Sequence, residues 1–406
     1  MEKRFTFPAV GVSVTPMSLD DTTIRDLIDF HDAHGVLSFY VGHTPERAAD
    51  PQPAAPIEIR NQIKALRADL ARRDGDTAKA VDKRLDEIQP EIDRLVDPRE
   101  HGRGRALFVG VDSGRMERVA LQIPFRERVV HHDSAFVRPL VAAHDEGRAA
   151  GVLVVSRHGC RLLRWSVGEV QELETWTFET GDLSRQKSGP TPAQPQHPGH
   201  GTDHKERHEE RVDENRHRFL RQVAEEAEQA AKEHTWDRLV LSAPPKMRDE
   251  VSGLLHEDGY RLLLAEQAWE EAAPHEIAES VFPLLRSVHL DRERELVDTA
   301  LERALGGNAG AVGLRNVCAA LNEGRVSRLL YREDLQLEGF VSEEGTLHPR
   351  VEGVTAASDL AMTRQPLFVE RMVERAVATS ADVTPVDLEV AAALDEHEGV
   401  AALLRW

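Results

Sequence analysis

The stretch that decides the fold is Gly151-Val152-Leu153-Val154-Val155-Ser156-Arg157-His158-Gly159. Its apolar start predicts a buried strand, and Arg157-His158-Gly159 predicts a turn. The two stretches that follow, 160–167 and 170–178, alternate apolar and polar residues, which predicts two more strands in a β-meander. The stretch therefore opens a domain built on a sheet.

A long polar segment follows these strands, from Glu179 to Glu210. It is rich in Gly, Pro, Gln, His, Ser and Thr and has no large apolar residue after Leu183. A loop of about 30 residues inside a compact domain is uncommon and is usually either functional or disordered. From Lys205 onward a helical pattern begins, with Phe219 and Val223 near one face. We therefore expect the function to reside in this segment, between a strand and a long helix.

The composition limits the class of protein. The chain has 406 residues, of which 40% are hydrophobic and 30% charged, and this is typical of a globular protein with several cores. No window approaches 18 consecutive apolar residues, and Met1–Phe5 lacks the apolar core of a signal peptide, so we expect a cytoplasmic protein without a membrane partner. The two cysteines exclude a Cys-rich metal site. A net charge of −20 argues against DNA binding but permits a local basic patch for RNA.

We predict three α/β domains, at residues 1–144, 145–284 and 285–406. In the first, the apolar spacing of residues 59–70 and 81–95 predicts a helical hairpin. The other predicted elements are strands at 37–41, 106–111, 118–123, 239–243, 326–331 and 400–406, and helices at 244–255, 295–305, 311–322 and 368–380.

The order of these elements resembles archaeo-eukaryotic class 1 peptide-chain release factors and their relatives, Pelota and the bacterial protein Balon. The resemblance covers residues 145–406 and implies an RNase H-like central domain. It also implies a C-terminal α/β domain with the fold of kink-turn-binding ribosomal proteins, which meets elongation factor Tu or another translational GTPase. The stretches that carry the resemblance are 151–159, 214–220, 239–246 and 313–331.

The catalytic motif of this family is missing from the chain. In release factors the central-domain loop carries Gly-Gly-Gln, whose glutamine places a water against the peptidyl-tRNA ester. The helix around His217 puts the corresponding place near Gly199–Asp203, and no Gly-Gly-Gln occurs in the sequence. Pelota lacks the motif and works by occupying the ribosomal A site, which Balon also occupies as a hibernation factor. The resemblance thus implies a factor for hibernation or rescue that binds ribosomal RNA in the A site and needs no cofactor.

Two alternatives remain open. The chain can be an enzyme, a peptidyl-tRNA hydrolase in which Gln186, Gln194 or Gln196 takes the role of the missing glutamine. It can also be a stress-linked binding protein that does not act on ribosomes. A role without catalysis is favoured because none of the three glutamines follows a Gly-Gly pair.

The candidate binding residues lie in and after the polar segment. Basic side chains there can track RNA phosphates, although interleaved glutamates also fit an ordinary mixed-charge helix surface. His204 and His208 have a helical spacing that can hold zinc, but a solvated His-rich loop is the favoured interpretation. Gly306–Gly310 lacks the Lys-Ser/Thr of a P-loop, which favours a plain helix–loop–helix connection. The candidate ribosome-binding residues are Arg185, Lys187, Gly199, His200, Gly201, Thr202, Asp203, Lys205, Arg207 and Arg211.

Overall fold

The computed structural model describes residues 19–43, 54–178, 201–307, 309–349 and 362–406, with the backbone alone for Ala54 and 201–211. The chain divides into two compact units. The central unit comprises residues 147–288, and the composite unit comprises residues 1–146 together with 289–406. Helices and strands are mixed throughout, so the predicted α/β class is confirmed. The division into three domains stays a prediction. Among the described helices, none has the length and apolarity needed to cross a bilayer.

The N-terminal part of the composite unit is built on an antiparallel sheet of order β3-β2-β1-β4. The predicted second helix of the hairpin breaks at Ile88, because Pro90 in the first turn of the next helix lacks the N–H that a continuous helix needs. The elements are α1 (Asp21–Ile28), β1 (His31–Gly42), α2 (Ala54–Arg73), α3 (Gly75–Glu87), α4 (Gln89–Val96), β2 (Gly104–Gly110), β3 (Met116–Leu121), β4 (Arg128–Ser134) and α5 (Arg138–Glu146).

The central unit has a five-stranded sheet of order β7-β6-β5-β8-β9. The predicted antiparallel meander is confirmed, and β8 and β9 run parallel to β5. Alternate residues of β5 face opposite layers, since Leu153 packs with α6 and α7 whereas Val152 packs with the start of α8. The elements are β5 (Ala150–Val155), β6 (Gly159–Ser166), β7 (Glu169–Thr177), α6 (Gly201–Glu233), β8 (Arg238–Ser242), α7 (Pro245–Ser252), β9 (Arg261–Leu264) and α8 (Pro274–Leu305).

The C-terminal part of the composite unit continues from α8. Its main sheet has the order β10-β16-β11-β15, in which β11 and β15 are parallel, and a smaller sheet has the order β13-β12-β14. The elements are β10 (Gly310–Val312), α9 (Leu314–Asn322), β11 (Val326–Arg332), β12 (Gly339–Ser342), β13 (Leu347–Pro349), β14 (Met362–Gln365), α10 (Phe368–Ala378), β15 (Asp382–Val386), a 3-10 helix (Ala391–His397) and β16 (Val400–Leu404).

Three predicted boundaries are wrong. The helix predicted at residues 295–305 is only the last part of α8, which begins at Pro274. The helix predicted from residue 311 begins at Leu314, because Gly313 has φ = +78° and the three residues before it pair with β16. The connection after α8 is therefore helix–loop–strand and not helix–loop–helix. The polar loop predicted to extend to Glu210 gives way to helix α6 at Gly201. Glu, Lys and Arg are good helix formers, so polarity alone did not distinguish this part of the helix from a loop.

Candidate functional site

The polar segment is flanked by β7 and α6, and the two elements are joined at their described ends. Phe178, the last described residue before the segment, contacts Phe219 of α6 with ring centroids 5.4 Å apart. Further along α6, Glu226 accepts a hydrogen bond of 2.8 Å from Trp176 Nε1. Phe178 N also donates to His158 O at 2.7 Å, which holds the end of the strand against the β5–β6 turn. The end of β7, which precedes the segment, is thus held against α6, the helix that follows the segment.

Helix α6 divides into a packed half and a polar half. From Leu220 onward it presents a buried stripe to the sheet at helical spacing, which includes Val223, Ala224 and Ala227. Residues 201–218 precede this stripe and are named the helical arm. At 1.5 Å per residue the arm spans about 27 Å. Its described side chains, from Val212 to Arg218, are half-buried or exposed.

The described charges of the arm are balanced within the helix. Arg216 pairs with Asp213 at 3.0 Å, and Arg218 approaches Glu214 to 3.7 Å. Exposed pairs of this kind contribute about 0–1 kcal/mol each, so they orient side chains more than they stabilise the fold. This part of the helix therefore fits the mixed-charge surface better than a continuous basic stripe.

His217 links the arm to α7. Its Nδ1 lies 3.0 Å from Glu250 Oε1, and Arg221 Nη2 lies 3.2 Å from its Nε2. Because a guanidinium can only donate, Nε2 accepts and the ring proton is assigned to Nδ1, from which it is donated to Glu250. The contact braces the root of the arm against the neighbouring helix.

The predicted site residues fall into two groups. The arm is helical, so His204 and His208 lie one turn apart, which is the spacing that the zinc hypothesis requires. The ten ribosome-binding candidates, the three glutamines and the two histidines all stay predictions. Arg185, Gln186, Lys187, Gln194, Gln196, Gly199 and His200 lie outside the described residues; Gly201, Thr202, Asp203, His204, Lys205, Arg207, His208 and Arg211 lie in the arm, where the structure describes their backbone alone.

Neither cysteine is arranged as a nucleophile. Cys160 and Cys318 are both buried, at 2% and 1% exposure. Burial raises the pKa of each thiol to about 12. Since the thiolate is the reactive form, both side chains act as small apolar core residues.

Comparison with known proteins gives one family and several structural similarities. Residues 136–286 match the model of bacterial archaeo-eukaryotic release factor family 10. No curated protein matches the chain significantly.

Three solved structures illustrate the structural similarity. The archaeal translation termination factor aRF1 is 18% identical, over 95% of this chain and 96% of that chain, with a TM-score of 0.24. Ribosome-bound archaeal Pelota with ABCE1 is 16% identical over 75% and 77%, with a TM-score of 0.40. Archaeoglobus fulgidus Pelota is 14% identical over 96% and 93%, with a TM-score of 0.37. All three scores are below 0.5, and the family match lies within residues 136–286. Over residues 136–286 the chain is similar to bacterial archaeo-eukaryotic release factor family 10, and this match confirms the resemblance that its sequence indicated.

Proposed function

We propose that this chain is a cytoplasmic translation factor that binds the ribosome and acts by occupying the A site, in hibernation or rescue. The observation that carries the proposal is a release-factor family match over residues 136–286 in a sequence that contains no Gly-Gly-Gln. A protein that keeps the central domain but loses the glutamine keeps a means of binding and loses the group that positions water for ester hydrolysis.

The geometry at the polar segment supports this proposal. The segment follows the Phe178–Phe219 contact in the chain and is continuous with the helical arm. A continuous helix holds its N-terminal end at a fixed distance from the packed core, whereas a flexible linker does not. A fixed distance suits a segment that must reach a defined place on the ribosome. Because the described charges of the arm are balanced, we assign phosphate contact to Arg185, Lys187 and the basic residues of the first arm turns.

A protein partner and two domain folds belong to the same proposal. We expect residues 285–406 to meet elongation factor Tu or a related translational GTPase, as the resemblance implies. The RNase H-like fold of residues 145–284 and the ribosomal-protein-like fold of the C-terminal domain are also proposed on this basis. Copelleting of elongation factor Tu with ribosomes only when the chain is present would support the partner assignment.

Cosedimentation with 70S ribosomes through a sucrose cushion tests the binding. We expect the purified chain to pellet with ribosomes, and binding to weaken between about 50 and 200 mM salt. Reversing five charges, Arg185→Glu, Lys187→Glu, Lys205→Glu, Arg207→Glu and Arg211→Glu, should lower the salt slope by roughly 0.7–0.9 for each phosphate that the variant no longer neutralises. Absence of the chain from ribosome pellets of both growing and starved cells would refute the proposal.

A matched control makes the same change of net charge elsewhere. Lys64, Arg72, Arg73, Lys79 and Lys83 are all exposed on α2 and α3. Their reversal to Glu should leave more ribosome binding than reversal of the five segment and arm residues. Equal weakening in both variants would mean that net charge and not the segment governs binding.

Measuring the release of labelled peptide from stalled ribosome complexes distinguishes A-site occupancy from peptidyl-tRNA hydrolysis. We expect no release above the spontaneous rate. Release that disappears in the triple variant Gln186→Ala, Gln194→Ala, Gln196→Ala would establish the hydrolase alternative instead. A chain that is expressed under stress but never pellets with ribosomes would support the third alternative, a binding protein that acts elsewhere.

A further inference from the structure

Three side chains that can ligate a metal converge inside the composite unit. Asp145 lies at the end of α5, and His289 and Glu293 lie one turn apart on α8. One ligand atom from each residue lies within 4.8 Å of the other two. The three residues are 8%, 6% and 1% exposed, so the cluster is closed to bulk solvent.

Further contacts fix the orientation of both carboxylates. Arg292 Nη1 donates to Asp145 Oδ1 at 3.2 Å, and the Asp387 backbone N–H donates to Glu293 Oε2 at 2.9 Å. The other oxygen of Glu293, Oε1, lies 2.9 Å from His289 Nε2. Two ligand atoms bound at about 2.0–2.2 Å in a tetrahedral site are about 3.3–3.6 Å apart, so the two side chains need to separate by only about 0.4–0.7 Å to share an ion. Contacts that hold the non-ligating atom of each ligand are typical of metal sites.

One carboxylate oxygen of the cluster has no hydrogen-bond partner among the described residues, and the negative charge of the cluster is not fully compensated. Asp145 Oδ2 is buried and accepts no hydrogen bond from any residue that the structure describes. With His289 neutral, two carboxylates face one guanidinium, which leaves one net negative charge in a medium of low dielectric constant. A buried charge without compensation is costly. The cluster therefore needs a compensating positive charge.

We propose that Asp145, His289 and Glu293 bind a divalent transition-metal ion of the zinc type. One imidazole nitrogen and two carboxylate oxygens suit zinc, whereas calcium and magnesium prefer sites made of oxygen ligands alone. The ion joins α5 to α8, and through Glu293 and Asp387 it secures the end of β15. Its role is to hold the N-terminal and C-terminal parts of the composite unit together.

Zinc itself is the probe, and the histidines of the His-rich segment must first be replaced, because they can compete for the ion. The experiment therefore uses a full-length background variant with His197→Gln, His200→Gln, His204→Gln and His208→Gln. The chain is stripped with EDTA, desalted and reloaded with zinc chloride. We expect about one zinc per chain by mass spectrometry and a higher thermal midpoint than the stripped form shows.

Variants of the cluster locate the ion. His289→Gln and Glu293→Gln should each lose most of the bound zinc and most of the zinc-dependent thermal shift. The matched control is His275→Gln with Glu279→Gln, an exposed pair with the same spacing on the same helix, and it should retain both.

Two results would overturn the proposal. If the background variant, in which the four segment histidines are replaced, binds no zinc and its thermal midpoint does not change on adding zinc, the cluster is not a metal site. This outcome does not depend on whether any cluster variant folds. If His289→Gln lowers the midpoint equally with and without zinc, zinc does not act through this cluster and the proposal is wrong. Neither measurement uses ribosomes, so the result is independent of the proposed function.

Discussion

Glu370 gives the composite unit a stability that depends on pH. The residue lies on α10, is fully buried and accepts a hydrogen bond of 2.7 Å from Val137 N through Oε1. Its second oxygen, Oε2, has no hydrogen-bond partner in the described part of the chain. Burial raises the pKa of this carboxyl to about 8, although the Val137 N–H and the Arg138 guanidinium act in the opposite direction. Glu370 is therefore mostly protonated at neutral pH.

The magnitude follows from the difference in pKa between the folded and unfolded chains. A rise from 4.5 to about 8 is about 3.5 units, and 1.36 kcal/mol per unit gives an upper limit of about 5 kcal/mol. The folded state holds the proton more tightly, so this contribution is complete below the unfolded pKa and is lost as pH rises through the folded pKa. Glu370→Gln replaces the acid by a neutral side chain of the same shape and should remove this dependence.

Urea unfolding near pH 5, 7 and 9 measures the effect as a free energy of unfolding. The difference between Glu370→Gln and the unaltered chain should be small at the lowest pH and should grow in favour of the variant by up to about 5 kcal/mol at the highest. The control is Glu343→Gln, since Glu343 is exposed. Parallel pH profiles for Glu370→Gln and the unaltered chain would show that Glu370 does not bind a proton in this range, and the reasoning would be wrong.

Three further predictions concern particular residues. Gly324→Ala should lower the free energy of unfolding by about 1 kcal/mol in chemical denaturation, because Gly324 ends α9 with φ = +68°, where a Cβ is disfavoured. Cys160 and Cys318 should react with a disulfide reagent only after unfolding by guanidinium, and rapid labelling of the native chain would contradict their burial. Phe219→Ala removes the ring that contacts Phe178, so limited proteolysis should cut the polar segment faster than in the unaltered chain; an unchanged cleavage rate would show that the contact does not restrain the segment.

Much of the fold could be predicted because its strongest signals are local. The apolar run of β5 and the alternation in β6 and β7 predicted the meander that the structure confirms. The errors occur where a local signal is weak. A strand of three residues, such as β10, has no measurable period, and the polar start of α6 has helix-forming residues without an apolar stripe.

The candidate sites were predicted unevenly for a different reason. The position of the polar segment followed from its composition and from the family resemblance. The cluster at Asp145, His289 and Glu293 was missed, because no sequence period relates residues 144 positions apart. The spacing of His289 and Glu293 on one helix was the available signal, but a single His–Glu pair is common on helices.

The discontinuous composite unit also sets an order of events during synthesis. The hydrogen-bond partner of Val137 N–H is Glu370, which is synthesised 233 residues later. At about 5–20 residues per second the ribosome needs roughly 12–47 s to supply it. The central unit is contiguous, so it can complete its own sheet during this interval. Residues 1–146 meanwhile leave the ribosome with an unfinished face, and several of the contacts that later close this face are polar, including Ser134 with Glu374 and Arg138 with the Glu333 carbonyl. Water can solvate these polar groups until residues 289–406 are synthesised, and this reduces the risk of aggregation in the nascent chain.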